Sequence, residues 1–248
     1  MRDALLGAVS FLTRLPVAYS EPRWEAFIAA PWAFPLAGYV VGALLAVPML
    51  AGGVPHGTVA FAYLTVVFAV TGINHLDGVA DAGDAAVVHG DPADRRTVLK
   101  DTTTGVGAIA AVVVVVAGLV TGSLGVAALP TWTAVGVVVA TEVGAKTSMA
   151  AVACLAHAPH DGLGSQFTGN ATPGALPAVA GVALPVALAS VPSPAAAGAL
   201  AGAVGAGALT RRWLTGLLGG ANGDVFGAVN EVSRVVGLHA GVVVWTLW

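Results

Sequence analysis

Three aspartates at helical spacing are the residues of this sequence whose chemistry is easiest to specify. Asp77, Asp81 and Asp84 are spaced i, i+4 and i+7, which places three carboxylates on one face of a helix. Like charges at this spacing repel one another, so the arrangement costs stability unless a cation lies among them. Oxygen ligands of this kind suit a hard divalent ion. The spacing therefore predicts a metal site with Mg²⁺ as the cofactor and Mn²⁺ as the alternative.

A solvated acidic helix end is the other explanation for these three acids. Charged residues make up only 9% of the chain, so three acids gathered merely for solvation would be out of keeping with the rest. Gly78 and Gly83, which lie between the acids, are poor helix formers. Their missing side chains would instead let a ligand or another helix approach closely. We therefore favour a metal site and count Gly78 among the predicted substrate contacts.

The segment that follows the acids supplies the opposite charge. Arg95, Arg96 and Lys100 lie within six positions, and Asp101 then leads into a Thr/Gly-rich turn at Gly105. A substrate that contains phosphate needs a metal to neutralise it, with Lys, Arg and backbone N–H groups to hold its oxygens. The residues of this segment predicted to contact the substrate are Arg95, Lys100 and Gly105, and Asp101 is a further catalytic and metal-binding carboxylate.

Two polar loops later in the chain carry weaker signals. Residues 157–164 contain two histidines and an acid, and residues 219–224 follow the basic pair at Arg211. An ordinary polar loop and a turn before the last helix are the structural alternatives. As a functional element, the loop at 219–224 could bind anions or supply another metal-binding carboxylate, whereas Zn²⁺ binding by residues 157–164 would need a further ligand. The residues counted as substrate contacts are Asp161, Gly162, Arg211 and Asn222, and Asp224 is counted as a metal ligand.

The composition places these residues in a membrane protein. Hydrophobic residues make up 57% of the 248 and charged residues 9%, against about 25% charged in an ordinary soluble domain. The apolar excess has no soluble interior to fill, so lipid must replace water around much of the surface. The net charge of −3 and the absence of a Lys/Arg-rich run argue against nucleic acid as a partner.

Three long stretches without Asp, Glu, Lys or Arg define the membrane-embedded elements. Each is long enough for two crossings of about 20 residues and has a turn signal near its middle. The hairpins predicted from them are 34–53 with 58–74, 106–128 with 132–153, and 173–189 with 195–210. A seventh crossing over 235–248 requires a helix that begins earlier, near Val225. The sequence therefore predicts an all-α, polytopic membrane protein of about six or seven transmembrane helices, a single catalytic domain over 1–248, and an interfacial helix within 1–30.

Hairpins return the chain to the side that it left, so the polar segments must share one face. These segments are 1–30, 77–101, 154–171 and 211–234. They hold nine of the ten basic residues, with Lys146 as the exception. By the positive-inside rule this face is cytoplasmic, which predicts a multi-pass protein of the plasma membrane whose active site faces the cytoplasm. Glu142 and Lys146, four residues apart inside a span, are expected to pair.

One string of residues resembles a known family. His75-Leu76-Asp77-Gly78-Val79-Ala80-Asp81, followed by Asp84, is similar to the hallmark of the cobalamin synthase family. Five further motifs of that family have counterparts here in the same order, over roughly residues 11–231. The matching segments are 11–17; Phe34-Pro35 with Gly38 and Gly42; Lys100-Asp101 with Gly105; 161–164 with Phe167 and Gly169; and 219–224 with Gly227-Ala228.

The resemblance implies a membrane-bound adenosylcobinamide-GDP ribazoletransferase. In that reaction a ribose hydroxyl of α-ribazole, or of its phosphate, attacks the phosphorus attached to cobinamide in adenosylcobinamide-GDP and releases GMP. One of the carboxylates, or a metal-bound hydroxide, would deprotonate the hydroxyl. The residues implied to bind Mg²⁺ and act in catalysis are Asp77, Asp81 and Asp84, joined by Asp101 or Asp224. Those implied to contact the substrate include His75, Arg14, Arg95, Lys100 and Arg211.

Three alternatives stay open at the level of the sequence. A CDP-alcohol phosphotransferase also begins its motif with Asp-Gly, but it needs Arg where this chain has Asp81, and its later Gly-x₃-Asp-x₃-Asp is absent. A cation transporter would place acids at mid-membrane depth on two related repeats. A structural membrane scaffold leaves the acids unexplained. A homo-oligomer is compatible with each of these functions.

Overall fold

The regular structure of this protein is helical. A computed structural model describes residues 1–99 and 103–248, and within these ranges it contains α-helices, short 3₁₀ turns and no strand. The all-α prediction is thus confirmed. The helices are α1 (Arg2–Leu12), α2 (Glu21–Ile28), α3 (Ala33–Leu45), α4 (His56–Thr71), α5 (Asn74–Val87), α6 (Pro92–Val98), α7 (Val106–Ala127), α8 (Thr131–Leu155), α9 (Leu163–Thr168), α10 (Leu176–Ala183), α11 (Ala195–Leu218) and α12 (Gly223–Leu247).

Several of these helices have the length and apolar composition of membrane spans. Helices α7 and α8 are 22 and 25 residues long, with mean hydropathy of 2.5 and 1.4. Two bent pairs, α2 with α3 and α4 with α5, raise the number of candidate spans from two to as many as four by length and composition. The protein is therefore polytopic. Helices α11 and α12 are also 24 and 25 residues long but carry charged side chains, and the full count of six or seven crossings stays a prediction.

The predicted helix boundaries hold best where no proline interrupts the apolar run. Helices α7 and α8 reproduce the predicted middle hairpin almost residue for residue. The predicted span over 173–189 is instead a 3₁₀ turn, α10 and a second 3₁₀ turn (Leu184–Leu188), because Pro173, Pro177 and Pro185 each begin a new helical segment. Helix α12 begins at Gly223, early enough to give the last apolar stretch the length of a crossing.

Helix α8 lies at the centre of the bundle and packs against α3, α11 and α12. Small residues allow these backbones to approach closely, as is common between membrane helices. A Cβ added at Gly38 of α3 would lie 2.8 Å from the Cα of Val143 in α8. One added at Gly207 of α11 would lie 2.2 Å from Oγ of Ser148 in α8. The bundle that carries the site is therefore tightly packed around α8.

The four polar segments meet at one end of this bundle, as predicted. They contact one another through hydrogen bonds between distant parts of the chain. These bonds run from Trp24 Nε1 to Gln166 Oε1 (2.9 Å), from Arg96 Nη1 to the Leu218 carbonyl (2.7 Å) and from Ala221 N to the His157 carbonyl (2.8 Å). At the opposite end, Trp132, Val191 and Trp248 line a common cavity, which brings two hairpin tips and the end of α12 together. The segregation of the charged segments is therefore a property of the fold.

Two features of the polar end differ from the predicted elements. Residues 1–30 form two short helices, α1 and α2, separated by the extended segment that contains Pro16. Helix α5 turns 96° away from α4 at Gly72, whose φ of 70° lies in the left-handed region that favours glycine. If α4 crosses the membrane, α5 therefore runs along the membrane surface, outside the span.

Candidate active site

The predicted acids gather where α5 meets the first turn of α12. Asp77 is exposed, whereas Asp81 and Asp84 are partly buried on the same helix. Asp224 joins them from α12 because Gly78 lets the two backbones touch; a Cβ at Gly78 would lie 2.7 Å from the Asp224 carbonyl oxygen. The close approach predicted for Gly78 is thus made by a helix, and a substrate contact there stays a prediction. We refer to Asp77, Asp81, Asp84 and Asp224 as the acid cluster.

Burial and the nearby carboxylates change the proton affinity of two members of the acid cluster, Asp81 and Asp224. Burial, followed by the charges of Asp224, Asp77 and Asp84, raises the pKa of Asp81 to about 6. Burial also raises the pKa of Asp224, and the charge of Asp77 adds to this effect. Within the described residues, neither Asp77 nor Asp81 has a hydrogen-bond or ion-pair partner. Asp77 and Asp81 therefore have no described cation beside them, whereas the charge of His160 acts on Asp224 in the opposite sense to that of Asp77.

Asp84 differs from the other acids because it caps a helix. Its Oδ2 accepts a hydrogen bond from the backbone N–H of Gly105 at 2.8 Å, and its Oδ1 accepts one from Ala108 at 2.8 Å. A carboxylate at this position also interacts favourably with the N-terminal dipole of α7. Gly105 is needed for this contact, since a Cβ there would lie 2.3 Å from Oδ1 of Asp84. Metal binding by Asp84 and substrate binding by Gly105 stay predictions beside this structural role.

The donor chemistry of the cluster fits a hard divalent cation, although the set is incomplete. Among residues 1–99 and 103–248, no three His, Cys, Asp or Glu side chains converge closely enough to hold a metal ion. Asp101 and Lys100, which the sequence adds to the site, lie outside the described residues. Mg²⁺ is commonly held by one or two carboxylates plus substrate phosphates and water. Asp77, Asp81 and Asp224 supply oxygens of that kind, which leaves the remaining positions for another ligand.

A buried network of charges underlies the acid cluster. Lys146 donates to Glu142 at 3.0 Å, which confirms the predicted pair within α8. Arg234 of α12 also binds Glu142, and its Nη1 donates to both carboxylate oxygens of Glu231 at 2.6 and 2.8 Å. Sequence reasoning missed Glu231 and Arg234. Glu142, the partner of Arg234, lies 92 positions away along the chain, whereas the i, i+3 spacing of Glu231 and Arg234 was a local signal that could have identified that pair. The network links α12 to α8 inside the bundle, on the side of the site away from the polar end.

This network determines the hydrogen-bonding role of His75. Lys146 can only donate, so the Asn230 atom 2.7 Å from it is the amide oxygen. The Asn230 amide nitrogen then faces His75 Nδ1 at 3.2 Å, which makes Nδ1 the acceptor and places the ring proton on Nε2. Burial, with the charges of Lys146 and Arg234, lowers the pKa of His75 to about 3, so the ring is neutral. His75 can therefore offer a neutral N–H donor at the site.

The predicted basic residues differ in whether their side chains are already hydrogen-bonded within the protein. Arg95 donates from Nη1 to the Ala85 carbonyl at 2.8 Å, and it thereby caps the end of α5. Arg14 is exposed beside Gly72, and its side chain has no described ion-pair or hydrogen-bond partner. Arg211 is partly buried, and its Nε makes no hydrogen bond within the described part of the chain. Among the predicted cations that the structure describes, Arg14 and Arg211 thus have side chains with capacity for an anionic ligand.

The two predicted loops pack against each other beside Asp224. Asn222 accepts from the backbone N–H of Val225 at 3.2 Å and donates to Asp224 Oδ2 at 2.7 Å. It therefore caps α12 and orients Asp224, a role that the sequence analysis did not assign to it. Asp161 and Gly162 lie on an exposed turn, and Gly162 adopts a φ of 155°. Contact of Asn222, Asp161 and Gly162 with a substrate stays a prediction.

Two adjoining cavities open beside the acid cluster. The smaller, about 200 Å³, is lined by His75 and Asp224 together with the rings of Phe11, Phe167 and Phe226. The larger, about 480 Å³, lies between α1 and α2 and shares Phe11 with the first. The acids and cavities lie at one end of the bundle rather than at its middle, which disfavours the cation transporter considered above.

The fold and site define a class: a polytopic helical membrane protein with a carboxylate cluster at one face of its bundle. The chain belongs to the cobalamin-5-phosphate synthase family, whose sequence profile matches residues 4–242. The resemblance drawn from the HLDGVAD string is thereby confirmed.

Curated relatives match over nearly the whole chain. The adenosylcobinamide-GDP ribazoletransferase of Halorubrum lacusprofundi is 49% identical over 98% of both chains. The protein of the same name from Haloquadratum walsbyi is 43% identical over 99% of both. That of Pyrobaculum calidifontis is 37% identical over 98% of this chain and 99% of its own. No solved structure matches the chain significantly.

Proposed function

We propose that this protein transfers α-ribazole, or α-ribazole phosphate, to adenosylcobinamide-GDP and so forms adenosylcobalamin, or its phosphate, and GMP. The observation that carries the proposal is the near-full-length similarity to ribazoletransferases, which includes the segment that holds Asp77, Asp81 and Asp84. The geometry supports it, because the acid cluster lies beside a cavity lined by Asp224 and His75. An anionic, nucleotide-linked substrate with a divalent cation would complete such a site.

The reaction is a substitution at phosphorus. A ribose hydroxyl oxygen forms a bond to the phosphorus attached to cobinamide, and the bond from that phosphorus to the oxygen of the GMP phosphate breaks. GMP leaves with that oxygen, and the hydroxyl proton passes to a base. A carboxylate of the acid cluster is suited to accept it, because positioned Asp and Glu side chains serve as general bases. Arg14 and Arg211 are the proposed contacts to the diphosphate, and His75 donates from Nε2.

The proposed cofactor is Mg²⁺, with Mn²⁺ as the alternative. When bound, the ion would neutralise charge on the diphosphate as bonding at phosphorus changes. One or two carboxylates of Asp77, Asp81 and Asp224 would hold it, together with Asp101 or substrate oxygens. We further propose that the site faces the cytoplasm from the plasma membrane, because the face that bears it carries nine of the ten basic residues.

The proposal is tested with the purified full chain in lipid nanodiscs. Adenosylcobinamide-GDP and α-ribazole are added with Mg²⁺ or with a chelator, and mass spectrometry follows the cobalamin product and GMP. We expect the wild type to form both products only with the metal. Asp81→Asn should reduce the rate at least about 100-fold, the scale of a lost general base or electrostatic catalyst.

Asp3→Asn is the matched control, because it removes one exposed acid from the same face of the molecule without touching the cluster. It should behave as the wild type. Wild-type protein that forms no cobalamin from the two substrates would refute the transferase assignment. Undiminished, Mg²⁺-dependent turnover by Asp81→Asn would refute only the role given to the acid cluster.

A further inference from the structure

The larger of the two cavities, about 480 Å³, lies between α1, α2 and the segment that joins them. Its volume falls within the roughly 300–1,000 Å³ of small-molecule sites. One part of its wall is aromatic, from Phe11, Tyr19 and Trp24, and another is polar, from Arg23, Asn74 and Gln166. We call it the N-terminal cavity. None of these side chains has a role in the acid cluster, and of them only Phe11 and Asn74 border the smaller cavity.

The aromatic wall packs against the core on one side and is exposed on the other. The rings of Phe11 and Trp24 are 5.2 Å apart between centroids, and Trp24 lies 5.5 Å from the ring of Phe167. Phe167 is only 2% exposed, so this support belongs to the core. Tyr19 is 69% exposed and Phe11 37%, although burial of large apolar surface is the usual outcome of folding. Phe11 and Trp24 are therefore held in a fixed arrangement, and Tyr19 adds an exposed ring to the lining of the cavity.

The polar groups of the cavity are positioned around this aromatic wall. Trp24 Nε1 donates to Gln166 Oε1 at 2.9 Å, which fixes the plane of the indole ring. Arg23 Nη1 donates to the Ala18 carbonyl at 2.8 Å, which holds the guanidinium at the entrance. An acyl chain would pack against the rings but make no hydrogen bond to these polar groups. A simple anion would bind the polar groups but make no contact that needs the rings. A planar heteroaromatic base with polar substituents uses both, because stacking needs ring faces and the substituents need hydrogen bonds.

The N-terminal cavity also adjoins the smaller cavity, whose wall contains groups of the proposed active site. Phe11 and Asn74 line both it and the smaller cavity, in whose wall Asp224 and His75 lie. Asn74 begins α5, one turn before Asp77. A base in the N-terminal cavity can therefore have its attached ribose or phosphate in the smaller cavity, against the acid cluster.

We propose that the N-terminal cavity binds the planar base of one of the nucleoside substrates by stacking on Tyr19 and Trp24. This inference rests on the proposed function, which provides two sources of such a base. One is the benzimidazole of α-ribazole, and the other is the guanine of the GDP group. The chemistry of recognition is the same for both, so direct binding of each ligand distinguishes them.

The test uses Tyr19→Ala and Trp24→Leu in the full chain in nanodiscs. Titration calorimetry measures the dissociation constants of α-ribazole and of GMP separately, and steady-state assays measure KM for both substrates. Loss of one stacking ring should weaken binding of one ligand about tenfold and leave the other within about twofold. Weaker α-ribazole binding assigns the cavity to the benzimidazole, and weaker GMP binding assigns it to guanine.

Trp132→Leu is the matched control, because Trp132 is an aromatic side chain, 75% exposed, at the opposite end of the bundle. It should change neither constant. The Tyr19 ring does not pack against the rings of Phe11, Trp24 and Phe167. Tyr19→Ala therefore keeps the test valid even if Trp24→Leu lowers the melting temperature. Unchanged binding of both ligands by Tyr19→Ala, with an active wild type, overturns this inference alone. An inactive wild type overturns the proposed function, whatever the binding result.

Discussion

Asp81 is the residue at which the electrostatic cost of this site is concentrated. Its carboxyl group is partly desolvated and faces three further acids, and these effects raise its pKa from 3.8 to about 6. The folded, metal-free protein therefore binds more protons than the unfolded chain between about pH 4 and pH 6. Folding stability contributed by this group falls as the pH rises through that window. A bound cation reverses the cost because it favours the ionised carboxylate.

The first prediction at this scale concerns metal and pH together. We expect Mg²⁺ to raise the melting temperature more at about pH 7.5 than at about pH 5, because Asp81 is ionised only at the higher pH. Thermal unfolding in nanodiscs, with and without Mg²⁺, measures this difference. Asp81→Asn should remove most of it, whereas Asp3→Asn should leave it intact. An equal effect of Mg²⁺ at both pH values would contradict the assignment of Asp81 as a ligand.

At the scale of the elements, the site depends on the meeting of α5 with α12 and α7. Gly78 and Gly83 make this possible, because Cβ atoms there would lie 2.7 Å from the Asp224 carbonyl and 2.6 Å from the Gly107 carbonyl. The sequence predicted close approach at both glycines. It did not identify the approaching helices, which are more than twenty positions away along the chain.

Gly78→Ala should therefore separate α5 from α12 and move Asp224 away from Asp77 and Asp81. We expect a loss of stability of about 1–3 kcal/mol, as for overpacking in a core, and a fall in turnover beyond what the stability loss explains. Denaturation in nanodiscs and product assays on the still-folded fraction measure the two effects. Gly216→Ala in α11 is the control, since no atom lies within 4 Å of a Cβ added there. Equal turnover in the two variants would show that the close contact does not position the acids.

At the scale of the whole molecule, a buried charge network connects the membrane-embedded bundle to the polar end. Glu142 lies between Lys146 and Arg234, and Asn230 links Lys146 to His75. All of these side chains except His75 are fully buried. Such a network is a poor source of net stability, but removal of one member leaves an uncompensated buried charge.

Glu142→Gln should accordingly cost about 3–5 kcal/mol of unfolding free energy, because it leaves Lys146 and Arg234 buried with a single acidic partner, Glu231. The double variant Glu142→Gln/Lys146→Met removes a matched pair of charges and should recover part of that loss. A double-mutant cycle in nanodiscs measures the coupling energy. Additive effects of the two substitutions would show that the contact between Glu142 and Lys146 contributes nothing specific.

The sequence alone determined the helical, membrane-embedded character of the chain and its family. Uncharged stretches longer than a bilayer crossing specify membrane helices, and their hairpin arrangement places the polar segments on one face. The i, i+4, i+7 spacing of Asp77, Asp81 and Asp84 specifies one helical face. The hydropathy of a stretch and the spacing of residues on a helix can both be determined from the sequence, because both are local properties of the chain. The HLDGVAD string indicated the family for the same reason, because a motif is local.

Only the tertiary structure decided which of these groups act together. Asp224 joins the acids, Arg95 caps α5 instead of standing free, and Arg234 completes the network around Glu142. The aromatic wall of the N-terminal cavity is likewise made by α1, α2 and α9 in contact. Each result depends on a contact between different helices, whose pairing no helical spacing encodes. The three aspartates indicated a charged site, and the packing of α12 against α5 determined which groups form it.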